Sequence, residues 1–320
     1  MSQKIREIDT LKAISIIGVV IMHMEFRSRF SEQAMMIINH LQVLLGWCVL
    51  AFFFCSGFLM KTEDIKLSHS STYLFKRANR LLIPCIVFSI FYKTLLIVIS
   101  RFGSFSWKAD VPASAYELFE FIFAPAGPQF YFLAFLFWIT AFIFMLHLFT
   151  KNMEINYIIV LFLYFTFYIY SVPPTTPHGP GLELIPAYML AFIWGGMIRS
   201  GSNALIHYLN ILTLGIIVFL CFWKQTYVYV YVAIPICLFF LFRYLDRLNL
   251  IIETTQLGQK SSAIYVWHAP LLLPIWSIIA DRLIRIDLLE LPFVIIFTIL
   301  SCYVISDFVE KNKTLKWLRF

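Results

Sequence analysis

Long apolar runs alternate with short polar interruptions along this chain, and the runs have the length of membrane-crossing helices, which need about 17–25 mostly apolar residues. The pattern predicts helices over 8–24, 40–60, 81–100, 128–149, 155–171, 184–199, 204–222, 227–243, 262–280 and 291–309. No composition shift divides them, so the expected fold is an all-α integral membrane protein. It is read as a single transmembrane domain over 1–320, a bundle of about ten helices. The sixth run is short, and Gly195-Gly196 within it would let a neighbouring helix approach closely. The first run follows Lys4 and Arg6, as a signal peptide's would. It ends in Met22-His23-Met24-Glu25 without a small-residue cleavage site, and so reads as a retained helix.

Composition strengthens this picture. Hydrophobic residues make up 61% of the 320 positions and charged residues 13%, against about one half and one quarter in soluble domains. A soluble fold of this size could not hide so much Phe, Leu and Ile. The net charge of +7 would suit nucleic acid if it formed a patch, but the Lys and Arg sit in loops between spans, where they set orientation. No nucleic-acid partner is expected; the lipid bilayer is. With the N-terminus placed in the cytoplasm, inside segments carry 16 Lys and Arg and outside segments 7. Both termini are therefore expected to be cytoplasmic, which requires an even number of spans. The longest outside loops are 25–40, 101–127 and 171–183. Cys48, Cys55, Cys85, Cys221, Cys237 and Cys302 lie in or beside apolar runs, form no CxxC or zinc spacing, and read as small apolar residues. No metal is expected.

Candidate chemistry lies where lipid should forbid polarity, because a charge inside a span costs several kcal/mol unless paired or solvated. The first helix carries Asp9, Lys12 and His23. Lys12 and His23 are eleven residues apart, about 20° from sharing a face and about 16 Å apart along the axis. Asp9 and Lys12, three apart, can pair. An interfacial ion pair with His23 reaching outward at the far end would account for the same residues. Phe52-Phe53-Phe54-Cys55-Ser56-Gly57-Phe58 places a small Ser-Gly step at a helix end, where a backbone or a ligand can come close. Lys76-Arg77-Ala78-Asn79-Arg80 opens the third span with a basic face suited to phosphate, or to orientation and lipid headgroups. Ser261, Tyr265 and His268 fall on one face of the ninth span; a structural, hydrogen-bonded His268 is the plain alternative. Phe130-Tyr131-Phe132-Leu133 gives the fourth span an aromatic start, as an interfacial belt would.

The order of these signals is more specific than any one of them. Asp-x-Leu-Lys with a His eleven residues after the Lys, then FFxxSGF, then a double-Arg stretch ending in Pro84, then the aromatic start, then Tyr-x-x-His, resembles the acyltransferase-3 family of membrane O-acyltransferases, in its sugar and polysaccharide O-acetylase branch. The resemblance implies an enzyme that carries an acyl group, usually acetyl, from cytoplasmic acyl-CoA to a hydroxyl of a cell-surface glycan or lipid-linked saccharide. The implied setting is a bacterial-type cytoplasmic membrane serving the cell envelope. By the same resemblance His23 is the essential His of the first helix, with Lys12 and Asp9 as its charged companions. Lys12 replaces a frequent Arg, keeping the charge and losing the planar fork. Arg77 and Arg80, with Ser56, are implied to hold acetyl-CoA. Glu25, Tyr265 and His268 are implied to support the substrate or the site. Phe130 and Tyr131 stand where many members have Trp. A glycan-intermediate transporter or flippase could use the same polar stripe, and a structural partner of polysaccharide synthesis is a third reading. The absence of an evident internal repeat weighs against the transporter.

Overall fold

The computed structural model describes residues 5–26, 32–61, 70–100, 114–115, 117–118, 130–171, 182–201, 204–226, 228–251, 254–284 and 287–312. The loop expectations over 27–31, 101–113, 119–129 and 172–181 lie outside the described residues. In chain order the helices are α1 (Arg6–Met22), α2 (Glu32–Leu45), α3 (Cys48–Phe58), α4 (Ser70–Ser100), α5 (Tyr131–Thr150), α6 (Met153–Tyr170) and α7 (Ile185–Ser200). They continue with α8 (Ala204–Lys224), α9 (Ile234–Arg247), α10 (Thr255–Gln259), α11 (Ser261–Trp267), α12 (Leu273–Leu283) and α13 (Asp287–Lys311). Short 3-10 turns cover His23–Phe26, Leu182–Leu184 and Val228–Val232.

Eight helical segments among the described residues are long and apolar enough to cross a membrane: Met35–Phe58, Ser70–Val98, Tyr131–Thr150, Met153–Tyr170, Leu182–Ser200, His207–Lys224, Val228–Arg247 and Leu289–Lys311. The protein is an all-α, multi-pass membrane protein. The two further spans expected from the sequence are helical but differ in form. α1 has 17 residues before it tightens into the 3-10 turn. The ninth is interrupted between α11 and α12, where Ala269 is extended at φ −132°, ψ 146°. Large apolar side chains point outward among the described residues: Phe149 and Phe222 are each 80% exposed, which suits lipid and not water.

Local sequence explains the ends. Glu7 and Asp9 place negative charge in the first turn of α1, where the helix dipole favours it. Between α5 and α6, Lys151 takes a left-handed φ of 53°. Asn152 then caps α6, its side-chain oxygen accepting from the Glu154 and Ile155 amides at 2.8 and 3.2 Å. Pro186 and Pro235 sit in the first turns of α7 and α9, where a missing N–H costs nothing.

The chain forms two compact units, Met1–Ser71 with Trp138–Ser261, and Thr72–Phe137 with Ser262–Phe320. In the first, α1 and α3 run antiparallel: a Cβ on Gly18 would meet Cys48 Sγ, while Cys55 faces Asp9 and Lys12. α3 and α7 run parallel, with Phe53 stacked on Tyr188 at 4.5 Å and Arg199 Nη1 donating to the Phe58 carbonyl at 3.1 Å. Interhelical polar contacts join Trp194 Nε1 to Asn210 Oδ1 at 2.7 Å and Tyr157 to Thr213 at 2.5 Å. In the second unit, α4 packs against α11 through Phe88 and Trp267, edge to face at 4.9 Å.

Candidate active site

The polar stripe of α1 belongs to the first unit. Asp9 is 7% exposed, and both its carboxylate oxygens are engaged. Lys12 Nζ lies 3.6 Å from Oδ1, and Gln259 Nε2 donates to Oδ2 at 3.4 Å. The same end of α1 is fastened by Thr254 Oγ1 donating to Thr10 Oγ1 at 3.0 Å and by the exposed Arg6–Asp246 pair at 3.3 Å. α10 is pressed onto this stretch: a Cβ on Gly258 would stand 2.0 Å from the Asp9 carbonyl oxygen. Gly258→Ala is therefore expected to push α10 off α1. Because a five-residue helix can shift, the cost should be that of ordinary overpacking, about 1–3 kcal/mol. A thermal midpoint for that variant equal to wild type would show that the contact is not tight.

Cys55 lies within electrostatic range of Lys12 and Asp9, and the half-buried Ser56 follows it. The structure thus joins Asp9, Lys12 and the Cys55-Ser56 step at one end of α1. His23 stands at the other end, in the 3-10 turn, about 16 Å away along the axis. Its Nδ1 lies 2.8 Å from the Val19 carbonyl oxygen. That oxygen can only accept, so Nδ1 is the donor of this bond. The Glu25 side chain lies outside the described residues.

The second unit holds the other candidates. Arg77 is half-buried and Arg80 exposed, one turn apart on α4, with Tyr73 and Arg80 both within electrostatic range of Arg77. Tyr265 and His268 are brought together, rings 5.9 Å apart, with Phe132 against Tyr265 at 5.1 Å. His268 is fully buried and its Nδ1 donates to the Ile264 carbonyl at 3.0 Å. The helix breaks here for a reason written in the sequence. Pro270 has no N–H to give the Val266 carbonyl; that carbonyl instead accepts from the Tyr92 hydroxyl at 2.9 Å. Such re-satisfied breaks are how irregular backbone survives at membrane depth.

Several buried or contacting residues escaped the sequence reading. Gln259, Gly258 and Thr254 reach α1 from about 250 positions away, and no pattern on one helix can disclose that. Glu290 is 5% exposed in the first turn of α13, where the dipole favours a carboxylate; it fell one residue outside the expected span.

The sequence places Arg77 and Arg80 at the opening of a span, but α4 begins at Ser70 and both lie about two to three turns inside it, away from the helix N-terminus. A family model described as an acyltransferase domain matches residues 5–307, and the chain belongs to that family, acyltransferase-3. No curated protein and no solved structure matches it.

Proposed function

We propose that this membrane acyltransferase moves an acyl group, acetyl in the simplest case, from cytoplasmic acyl-CoA to a hydroxyl of a cell-surface glycan or lipid-linked saccharide. The observation that carries the reading is the His23 ring, held through Nδ1 to the Val19 carbonyl at the far end of the polar stripe, in a chain of this family. The Nε2 lone pair takes the proton of the acceptor hydroxyl as its oxygen attacks the thioester carbonyl. The carbon–sulfur bond breaks, and CoA leaves as its thiol once it has received that proton. Lys12, held by Asp9, supplies a fixed positive charge within the bundle, with Ser56 beside it for the donor. Arg77 and Arg80 hold the CoA phosphates, which cannot enter lipid. Tyr265 and His268 support the second unit around the helix break. The enzyme works in a bacterial-type cytoplasmic membrane, with both termini on the cytoplasmic side, and serves the cell envelope.

The donor assignment is tested on the purified protein in lipid nanodiscs with acetyl-CoA. Losing one charge-assisted phosphate contact costs about 1.5–3 kcal/mol. Arg77→Gln and Arg80→Gln should each raise the KM for acetyl-CoA roughly 10- to 150-fold, with kcat nearly unchanged. Unaltered KM values in both variants would remove the phosphate role. The acceptor side is tested by comparing surface glycans of cells with and without the protein by mass spectrometry, looking for a lost acyl mass.

A further inference from the structure

One end of the first unit holds a cluster of buried phenols that the proposed chemistry does not use. Tyr164 and Tyr168 occupy the last two turns of α6, and Tyr229 sits in the 3-10 turn that precedes α9. Their rings pack in series, Tyr164 to Tyr168 at 4.9 Å and Tyr168 to Tyr229 at 4.9 Å. Tyr168 is satisfied, donating to the Glu183 carbonyl at 2.6 Å. Tyr164 and Tyr229 are not: they are 0% and 1% exposed, and neither hydroxyl has a hydrogen-bond partner. Both phenols lie within electrostatic range of the Cys221 thiol, and of each other. Ser171, just past the end of α6, holds another buried hydroxyl without a partner.

Buried polar groups in folded proteins are almost always hydrogen-bonded, so two orphaned phenols in one cluster indicate an occupant. Its chemistry follows from theirs. The groups left unpaired in the cluster are all neutral hydroxyls, while the charged neighbours, Lys224 on the Ser171 carbonyl and Glu183 within electrostatic range of Tyr168, are of opposite sign. Each phenol can both donate and accept, and a hydroxyl or water, which does the same, can pair with the two at once.

The position adds a reason for this site to matter. The Met22 carbonyl, next to His23, accepts from Gln42 Nε2 at 3.0 Å. The Val43 carbonyl accepts from Tyr231 at 2.6 Å, and Tyr231 shares its 3-10 turn with Tyr229. α2 thus ties the phenol cluster to the end of α1 that carries His23. We propose that Tyr164 and Tyr229 form a hydroxyl-binding subsite at the His23 end of the first unit, filled by an ordered water or by a hydroxyl of the acceptor. The acceptor arm rests on the function proposed above; the water arm does not.

Tyr164→Phe, Tyr229→Phe and the double variant keep ring and volume, so the fold should survive. Three measurements are made on the full chain: the thermal midpoint in nanodiscs, an acceptor-free high-resolution density map, and the acyl mass on cell-surface glycans. If water fills the site, the map shows one atom within hydrogen-bond reach of both phenol oxygens, single variants melt lower than wild type, and acyl mass is unchanged. If the acceptor fills it, acyl mass falls at least tenfold in each variant, with the midpoint and the affinity for acetyl-CoA unchanged. A double variant as stable as wild type, with full acyl mass and no density between the phenols, overturns the subsite. Should the wild-type protein itself add no acyl mass, the function reading falls, and density and midpoint alone still decide the subsite.

Discussion

His23→Ala is expected to lower acyl transfer by about 10²–10⁴-fold, the usual contribution of a positioned general base, while membrane yield stays at the wild-type level. Both halves of that expectation come from the local geometry. A sugar hydroxyl does not ionise near neutral pH, whereas an imidazole with a reference pKa of about 6.5 accepts a proton there. The Val19 carbonyl engages Nδ1, so the proposed proton transfer is assigned to Nε2. Structurally the residue is cheap to lose. It is half-buried, it lies in a 3-10 turn beyond the regular helix, and its Nδ1 bonds the carbonyl four residues back. Each hydrogen bond lost with the ring costs about 0.5–1.5 kcal/mol, too little to unfold the bundle. The measurement is CoA release from acetyl-CoA together with the acyl mass on surface glycans, with protein yield followed in parallel. Near-wild-type turnover in the Ala variant would end the catalytic assignment. Turnover that survives in His23→Gln but not His23→Ala would show that the ring positions the turn and does not move the proton. An acyl-His intermediate, the covalent variant of the same reading, would show ping-pong kinetics.

How far the sequence disclosed this site depended on the distance over which each signal acts. Eight spans were legible because lipid demands an unbroken apolar run, and a run is a local property. α1 and the ninth span were legible as helices, but their interruptions were not: Ala269 leaves the helix because Pro270 withholds an N–H and because Tyr92, 174 positions upstream of Val266, is there to replace it. The pairing of Asp9 with Lys12 was readable from their three-residue spacing. Gln259, which completes the Asp9 carboxylate, was not, since only the fold brings α10 to α1. The phenols of Tyr164 and Tyr229 look in sequence like two more aromatic residues in a chain rich in them. Their missing partners become visible only when the neighbours are known.

Gly57→Ala should be the most damaging small substitution in the first unit. A Cβ built there stands 1.8 Å from the Phe192 carbonyl oxygen and 2.6 Å from its carbon. Gly195 makes the reciprocal contact, its Cβ 2.1 Å from the Phe54 carbonyl oxygen and 2.9 Å from the Phe58 nitrogen. These obstacles are backbone atoms of two long helices, which cannot swing aside as a flexible side chain would. α3 and α7 must separate, loosening the Phe53–Tyr188 stack and the Arg199 bond to Phe58. Overpacking a core ordinarily costs about 1–3 kcal/mol; with backbone on both sides, the cost here should reach or exceed the upper end, enough to abolish recovery of folded protein. Gly215→Ala is the control: nothing lies within 4 Å of its Cβ, and replacing a mid-helix Gly gains about 0.5–1 kcal/mol. Thermal midpoints and size-exclusion profiles of the two variants check the contrast, and a Gly57→Ala protein as stable as the Gly215→Ala one would refute the packing account. The outcome also separates the two readings of the Ser56-Gly57 step. If Gly57→Ala fails to fold, the glycine serves the close approach of α7. If it folds and loses only transfer, the space beside Ser56 belongs to the donor.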